Sequence, residues 1–246
     1  MNTRSRSRAV AAQVAPPVED GTPASLGIKF TEDFHLNRFN RLKDRDIKST
    51  KWVCPYTLNQ LGLGLDFNLL CNNVGFLHFI FQDAATYRQL TLEFLSTLRH
   101  TVGPSFVSEE YSPRSNIISF RLMNREYKFS LDQWCQCFGL VNNITAIRNA
   151  SFMIDPPPYS YFNRMRVYDP IPKGSQIECP AVRYLYYVIA KTLQARGEFT
   201  RVNEEDMMIL AKAAIPDCNL TLNLGALLLF YLAYQSHQTC GPICCG

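Results

Sequence analysis

Residues 117–140, IISFRLMNREYKFSLDQWCQCFGL, hold an alternating run that passes directly into a capped amphipathic helix. Ile118, Phe120 and Leu122 fall on one side of an extended segment, and Tyr127 and Phe129 repeat that two-residue period after the polar turn Asn124-Arg125-Glu126. Ser130 then stands where a helix N-cap belongs. Its hydroxyl can accept an orphan backbone N–H, Gln133 three residues on completes a capping box, and Leu131, Trp134, Cys135 and Phe138 make one apolar stripe. The pattern predicts a β-hairpin near 117–129 feeding a helix. It brings no nucleophile, acid pair or metal cluster, so it speaks for architecture and for no reaction.

Outward from this stretch the signals are helical. Thr86 to His100 carries Leu90, Phe94, Leu95 and Leu98 on one face and stops at Gly103-Pro104; residues 104–115 read as loop. Gly62 and Gly64 divide the run from Pro55 to Leu70 into two short helices. Thr31 to about Lys48 has only a thin stripe, Phe34, Phe39 and Leu42, among many charges, and reads as an exposed basic helix or arm. Downstream, Asp155-Pro156-Pro157-Pro158 is a stiff connection that marks a subdomain boundary. Pro180 suits a first helical position, with Val182, Leu185, Tyr186, Ile189 and Leu193 at helical spacing behind it. Asn203 followed by Glu204, Glu205 and Asp206 caps a helix through Ala213, and the last helix runs from about Leu220 to Gln238. The expected fold is mainly α, a multi-helix globular module with one small β-hairpin. It falls into a disordered tail (1–27), a basic arm plus N-terminal helical subdomain (28–154), and a C-terminal helical subdomain (155–246).

A chain of 246 residues that is 47% hydrophobic can bury roughly 70% of its unfolded surface, so no covalent staple is required. The N-terminus has no apolar run long enough for a signal peptide. The nine cysteines are therefore expected as free thiols in a reducing, intracellular compartment, nuclear or cytoplasmic, and the N-x-S/T matches at Asn143, Asn149 and Asn219 as accidental. Leu220 to Tyr234 is strongly apolar, but at about 15 residues it falls short of the roughly 20 a spanning helix needs. It reads as a core helix buried on every side, not as a membrane segment.

Chemistry-bearing residues are sparse. His237, Cys240, Cys244 and Cys245 are the best metal candidates, but adjacent cysteines rarely ligate one ion and no second spaced pair accompanies them, so no metal is expected. Cys135 and Cys137 point about 200° apart on a helix and read as small buried fillers. His35, His78, His100 and His237 lie in unrelated contexts, and Gly62-Leu63-Gly64 lacks the strand and third glycine of a phosphate loop. Zinc-knuckle, aspartic-protease and reverse-transcriptase signatures are missing. The expectation is no catalysis, no cofactor and no small-molecule substrate.

The net charge of +4 is a mild bias, unevenly placed. Arg38, Arg41, Lys43, Arg45, Lys48 and Lys51 stand against only Asp44 and Asp46, while Arg4, Arg6 and Arg8 decorate the N-terminus. If all six cations met phosphates of a single strand, the salt slope would be about −4, and affinity would fall roughly 10² to 10³ between 50 and 200 mM salt. Most charge runs are solvated helix faces, and that reading stands beside the functional one. Trp52 and Tyr56 either stack on bases or anchor the arm to the core.

Three separated blocks appear in order: TLEFLSTL (91–98), the 117–140 stretch, and the pair CPAVRYLYYVIAKTL (179–193) with GALLLFYL through HQTCGPICCG (225–246). In these the chain, from about Phe30 onward, resembles the open-reading-frame protein of Athila-type plant long-terminal-repeat retrotransposons. That resemblance offers no catalytic motif to carry over. It implies continuation past the final CCG, so the C-terminal subdomain is expected to be truncated here. It further implies a non-enzymatic structural or interaction protein, Gag-like or accessory, that self-associates and touches RNA weakly through the basic segment. The alternative is an element-derived host nucleic-acid or chromatin adaptor using the same cations.

Overall fold

The computed structural model describes residues 22–82, 85–101, 117–141, 173–197, 199–215 and 222–243. The hairpin is present, with β2 over Ile117–Leu122 and β3 over Arg125–Ser130, antiparallel, pairing Ile118 with Phe129 and Phe120 with Tyr127. Ile118 and Phe120 are buried on the inner side as the alternation requires. Its turn is Met123-Asn124, one residue earlier than the polar triplet suggests; φ is 52° and 62°, the paired positive values of a two-residue hairpin turn. A third strand, β1 (Arg99–Thr101), pairs with β2 on the other side, so the sheet order is β1-β2-β3.

Among the described residues nine α-helices surround this sheet. Before it lie α1 (Asp33–Leu42), α2 (Pro55–Gln60), α3 (Gly64–Val74), α4 (Leu77–Ile80) and α5 (Arg88–Thr97). After it come α6 (Leu131–Phe138), α7 (Pro180–Val188), which runs into a π-helical turn at Ile189–Leu193, α8 (Glu204–Ala214) and α9 (Leu224–His237). The chain described is thus mainly helical with one small antiparallel sheet. Two expected boundaries shift. Helix α5 stops at Thr97 because Leu98 adopts ψ 124° and leads the chain into β1. Helix α9 starts at Leu224, later than the expected Leu220, because the Asn223 side chain accepts from the Ala226 N–H as an N-cap. The capping boxes at Ser130/Gln133 and Asn203/Asp206 are both formed.

The hairpin is stitched to its neighbours through buried polar groups. Glu93 on α5, 1% exposed, accepts from the N–H groups of Met123 (2.7 Å) and Asn124 (2.8 Å), so a carboxylate that would be costly to bury is satisfied by the two turn amides. The Asn124 side chain accepts from Lys29 N–H and donates to the Gly27 carbonyl. Trp134, 1% exposed, lies between Phe94, Phe120 and Phe138, and ties α6 to α9.

Two apolar clusters result. The main core takes Phe67, Phe76, Ile118 and Trp134 from one side of residue 155 and Leu185, Tyr186, Ile209 and Leu229 from the other. The expected subdomains therefore share one core, while their boundary at the Pro156–Pro158 run lies outside the described residues. A smaller cluster gathers Leu26, Ile28, Phe39, Leu42, Leu92, Leu95 and Ile243. Leu26, placed by the sequence in the tail, is buried there beside Ile28; residues 1–21 lie outside the described part, as do 104–115 and the glycosylation triplets. Among the described residues no helix is long and apolar enough to cross a membrane. Helix α9 is not buried on every side as expected, because Phe230 (61%) and Tyr234 (53%) are exposed.

Candidate nucleic-acid interface

The basic segment is docked, and that is the largest departure from the expected arm. Phe39 and Leu42 of α1 are fully buried; two such side chains contribute about 3–6 kcal/mol together, enough to hold a ten-residue helix against the core. Past the helix, the backbone is pinned repeatedly. Arg88 donates to the carbonyls of Lys43 and Arg45, the Ile243 N–H to Asp46 (2.7 Å), the Lys48 N–H to Ile243 (2.7 Å), and the Thr192 hydroxyl to Lys51. Ile47 and Ile243 form the parallel bridge at the centre of this latch.

Two of the six cations are used inside the fold. Arg38 (8% exposed) donates to the carbonyls of Leu98 (2.6 Å) and Leu95 (3.5 Å), at the C-terminal end of α5. Arg45 (7% exposed) donates to the carbonyls of Gln235, Gln238, Gly241 and Pro242, at and beyond the C-terminal end of α9. Each guanidinium satisfies carbonyls that a helix end leaves unpaired and sits at the negative pole of the helix dipole. The expectation that Arg38 and Arg45 sit on an exposed arm is corrected: both guanidiniums are buried and donate within the fold, although the Arg38 Nε finds no acceptor. Burial, with Arg41 and Arg99 nearby, holds the Arg38 guanidinium below its ordinary pKa. Arg41, Lys48 and Lys51 are exposed and Lys43 half-exposed, so these four remain at the surface.

The aromatic residues beyond the run divide. Trp52 is half-buried, edge-on to Phe79 at 5.8 Å, and anchors the segment; Tyr56 is 72% exposed and anchors nothing. Thr50 and Trp52, flanking Lys51, line an apolar cleft of about 460 Å³ whose other walls include Tyr87, Phe94, Phe129 and Leu232. Sequence reasoning missed this cleft because its walls come from elements far apart in the chain, among them α4, α5, β2, β3, α6 and α9.

Cys135 is a buried filler, its thiol pushed up to about 12 by burial and Asp132, whereas Cys137 is exposed and lines the cleft. The His237 Nε2 lies 3.4 Å from an Arg38 guanidinium nitrogen, a poor setting for a cation. Cys240 is exposed, and Cys244 and Cys245 lie outside the described residues. Among the described residues no group of three or more histidine, cysteine or acidic side chains is placed to hold a metal ion.

Compared with known proteins, the chain matches one family model, described as the ATHILA ORF-1 family, over residues 34–216. No match is found among curated proteins or among solved structures.

Proposed function

Because the chain belongs to the ATHILA ORF-1 family, we propose that it is a non-enzymatic structural protein of a retrotransposon, one that associates with its own copies and contacts element RNA through Arg41, Lys43, Lys48 and Lys51. The observation that carries this reading is the pinned backbone from Lys43 to Lys51. Cations held on a fixed track lose little backbone freedom on meeting a polyanion, which a floppy arm would have to give up. The track also ends beside an aromatic cleft, a setting in which an unpaired base can stack.

With Arg38 and Arg45 spent inside the fold, four phosphate contacts give a salt slope near −3, and affinity falls about 50-fold between 50 and 200 mM salt. Fluorescence anisotropy with a labelled single-stranded RNA measures it. Changing Arg41, Lys43, Lys48 and Lys51 together to Gln is expected to abolish the slope, while Arg125→Gln with Lys128→Gln on the hairpin leaves it unchanged. A slope that survives the fourfold change rules out this surface. Salt-sensitive RNA binding by a strict monomer favours the element-derived host adaptor instead.

A further inference from the structure

The pair α2–α3 carries apolar side chains on both of its sides. Inward, Phe67, Leu70 and Cys71 are buried, with Phe67 edge-on to Tyr184 of α7 at 5.3 Å. Outward, Leu65 is 88% exposed and Leu69, one turn on along the same face, 61%; Leu61 in the preceding turn is 57% exposed and Tyr56 on α2 72%. Gly62, at φ +68°, makes the corner that sets Leu61 just ahead of α3. Leu65 and Leu69 make one bare apolar face of α3, with Leu61 exposed just ahead of it, and soluble surfaces keep such apolar area small unless something covers it.

We infer that this leucine ridge pairs with the same ridge of a second copy of the chain about a two-fold axis. The inference deepens the self-association proposed above and rests on it. Charge chooses the occupant. Between Trp52 and Gln82, Asp66 is the only acidic residue and lysine and arginine do not occur, in a chain whose overall composition is 19% charged. Depletion of charge marks the centre of a protein interface, whereas a nucleic acid or an anionic membrane surface requires cations that this ridge lacks. A nearly neutral ridge can face its own image with a single carboxylate per copy to accommodate, and an isologous contact of this kind closes at two subunits. The area is sufficient: the four exposed side chains offer on the order of 1,000 Å² across two copies, the threshold for a specific contact.

Light scattering on the full chain tests the pairing, using Leu65→Glu with Leu69→Glu in one variant and Leu65→Lys with Leu69→Lys in another. The wild type is expected to reach dimer mass as its concentration is raised. Each variant is expected to stay monomeric with an unchanged thermal melt, because neither leucine belongs to the core. Mixing the two variants is expected to restore the dimer, since only ridges that face each other bring Glu against Lys. A wild type that assembles regardless of these substitutions, or variants whose mixture stays monomeric, overturns the ridge pairing and leaves self-association through another surface. A wild type monomeric at every concentration overturns both, and gives the ridge to a different occupant.

Discussion

The indole N–H of Trp134 donates to the carbonyl of Gly225 across 3.1 Å, and this contact joins α6 to α9. Gly225 is required there for a second reason: a Cβ on it would stand 2.1 Å from the Cys135 sulfur. The stretch 117–140 and the helix that opens at Leu224 are thus in direct contact at a point that tolerates no side chain.

Trp134→Ala is expected to cost about 3–5 kcal/mol, since it empties a site shared by three aromatic neighbours. Trp134→Phe keeps most of the volume and loses the indole donor, so about 1–2 kcal/mol is expected. Urea unfolding midpoints of the two variants separate packing from hydrogen bonding. An unshifted midpoint for the alanine variant would contradict the burial.

Met123 should be improvable. It holds φ 52° on a side chain that is 67% exposed, so it carries left-handed strain and supplies little packing in return. Met123→Asn is expected to stabilise by about 0.5–1 kcal/mol and to raise the melting temperature by a degree or more. Glu93→Gln should move it the other way by about 1.5–3 kcal/mol, because one turn amide then faces an amide donor.

Arg45 is expected to resist even conservative change. Lysine keeps the charge but cannot spread its donors over carbonyls of four residues, so Arg45→Lys should lose about 2–3 kcal/mol. The loss should be local, which limited proteolysis near Cys240 would report as earlier cleavage than in the wild type. Equal cleavage rates would mean the clamp contributes nothing.

Acid should weaken the fold through His35. The ring is 4% exposed; burial, assisted by Arg99, Arg121 and Arg38 and opposed by Glu32, lowers its pKa below 6.5. Below pH 6.5 the unfolded chain takes up a proton that the folded chain refuses. Stability from this group is therefore present at neutral pH and lost as pH falls through 6.5, by at most about 1.4 kcal/mol per pH unit. His35→Gln should flatten that part of the profile in urea melts between pH 7.5 and 5. An unaltered profile would place the acid sensitivity elsewhere. His237 is shifted the same way by burial, Arg38 and Arg41, but it is exposed and its share is screened.

The hairpin, its capped helix and the Asn203 cap were legible because their signals are local: a two-residue period, and a cap three residues from its partner. β1 was not, since Arg99-His100-Thr101 is too short to show a period and follows a helix whose spacing runs into it. The fate of Arg38 and Arg45 was illegible for a different reason. A buried cation looks like an exposed one until its acceptors are known, and Arg45 finds them at Gln235 and beyond. Cys137 and the aromatic cleft share that difficulty, as does the leucine ridge: its residues are helix-forming either way, and only the structure shows that nothing described covers them.

The latch between Asp46, Lys48 and Ile243 ties the segment just past α1 to the segment just past α9. On the ribosome, Phe39 and Leu42 can pack on Leu92 and Leu95 of α5 early, whereas the Arg45 guanidinium must wait for acceptors made some 190 residues later. Copies of an element interrupted by a late stop codon would translate a product in which Arg45 is buried without its acceptors. Such a product is expected to be cleared as a misfolded chain and to add little to any assembly.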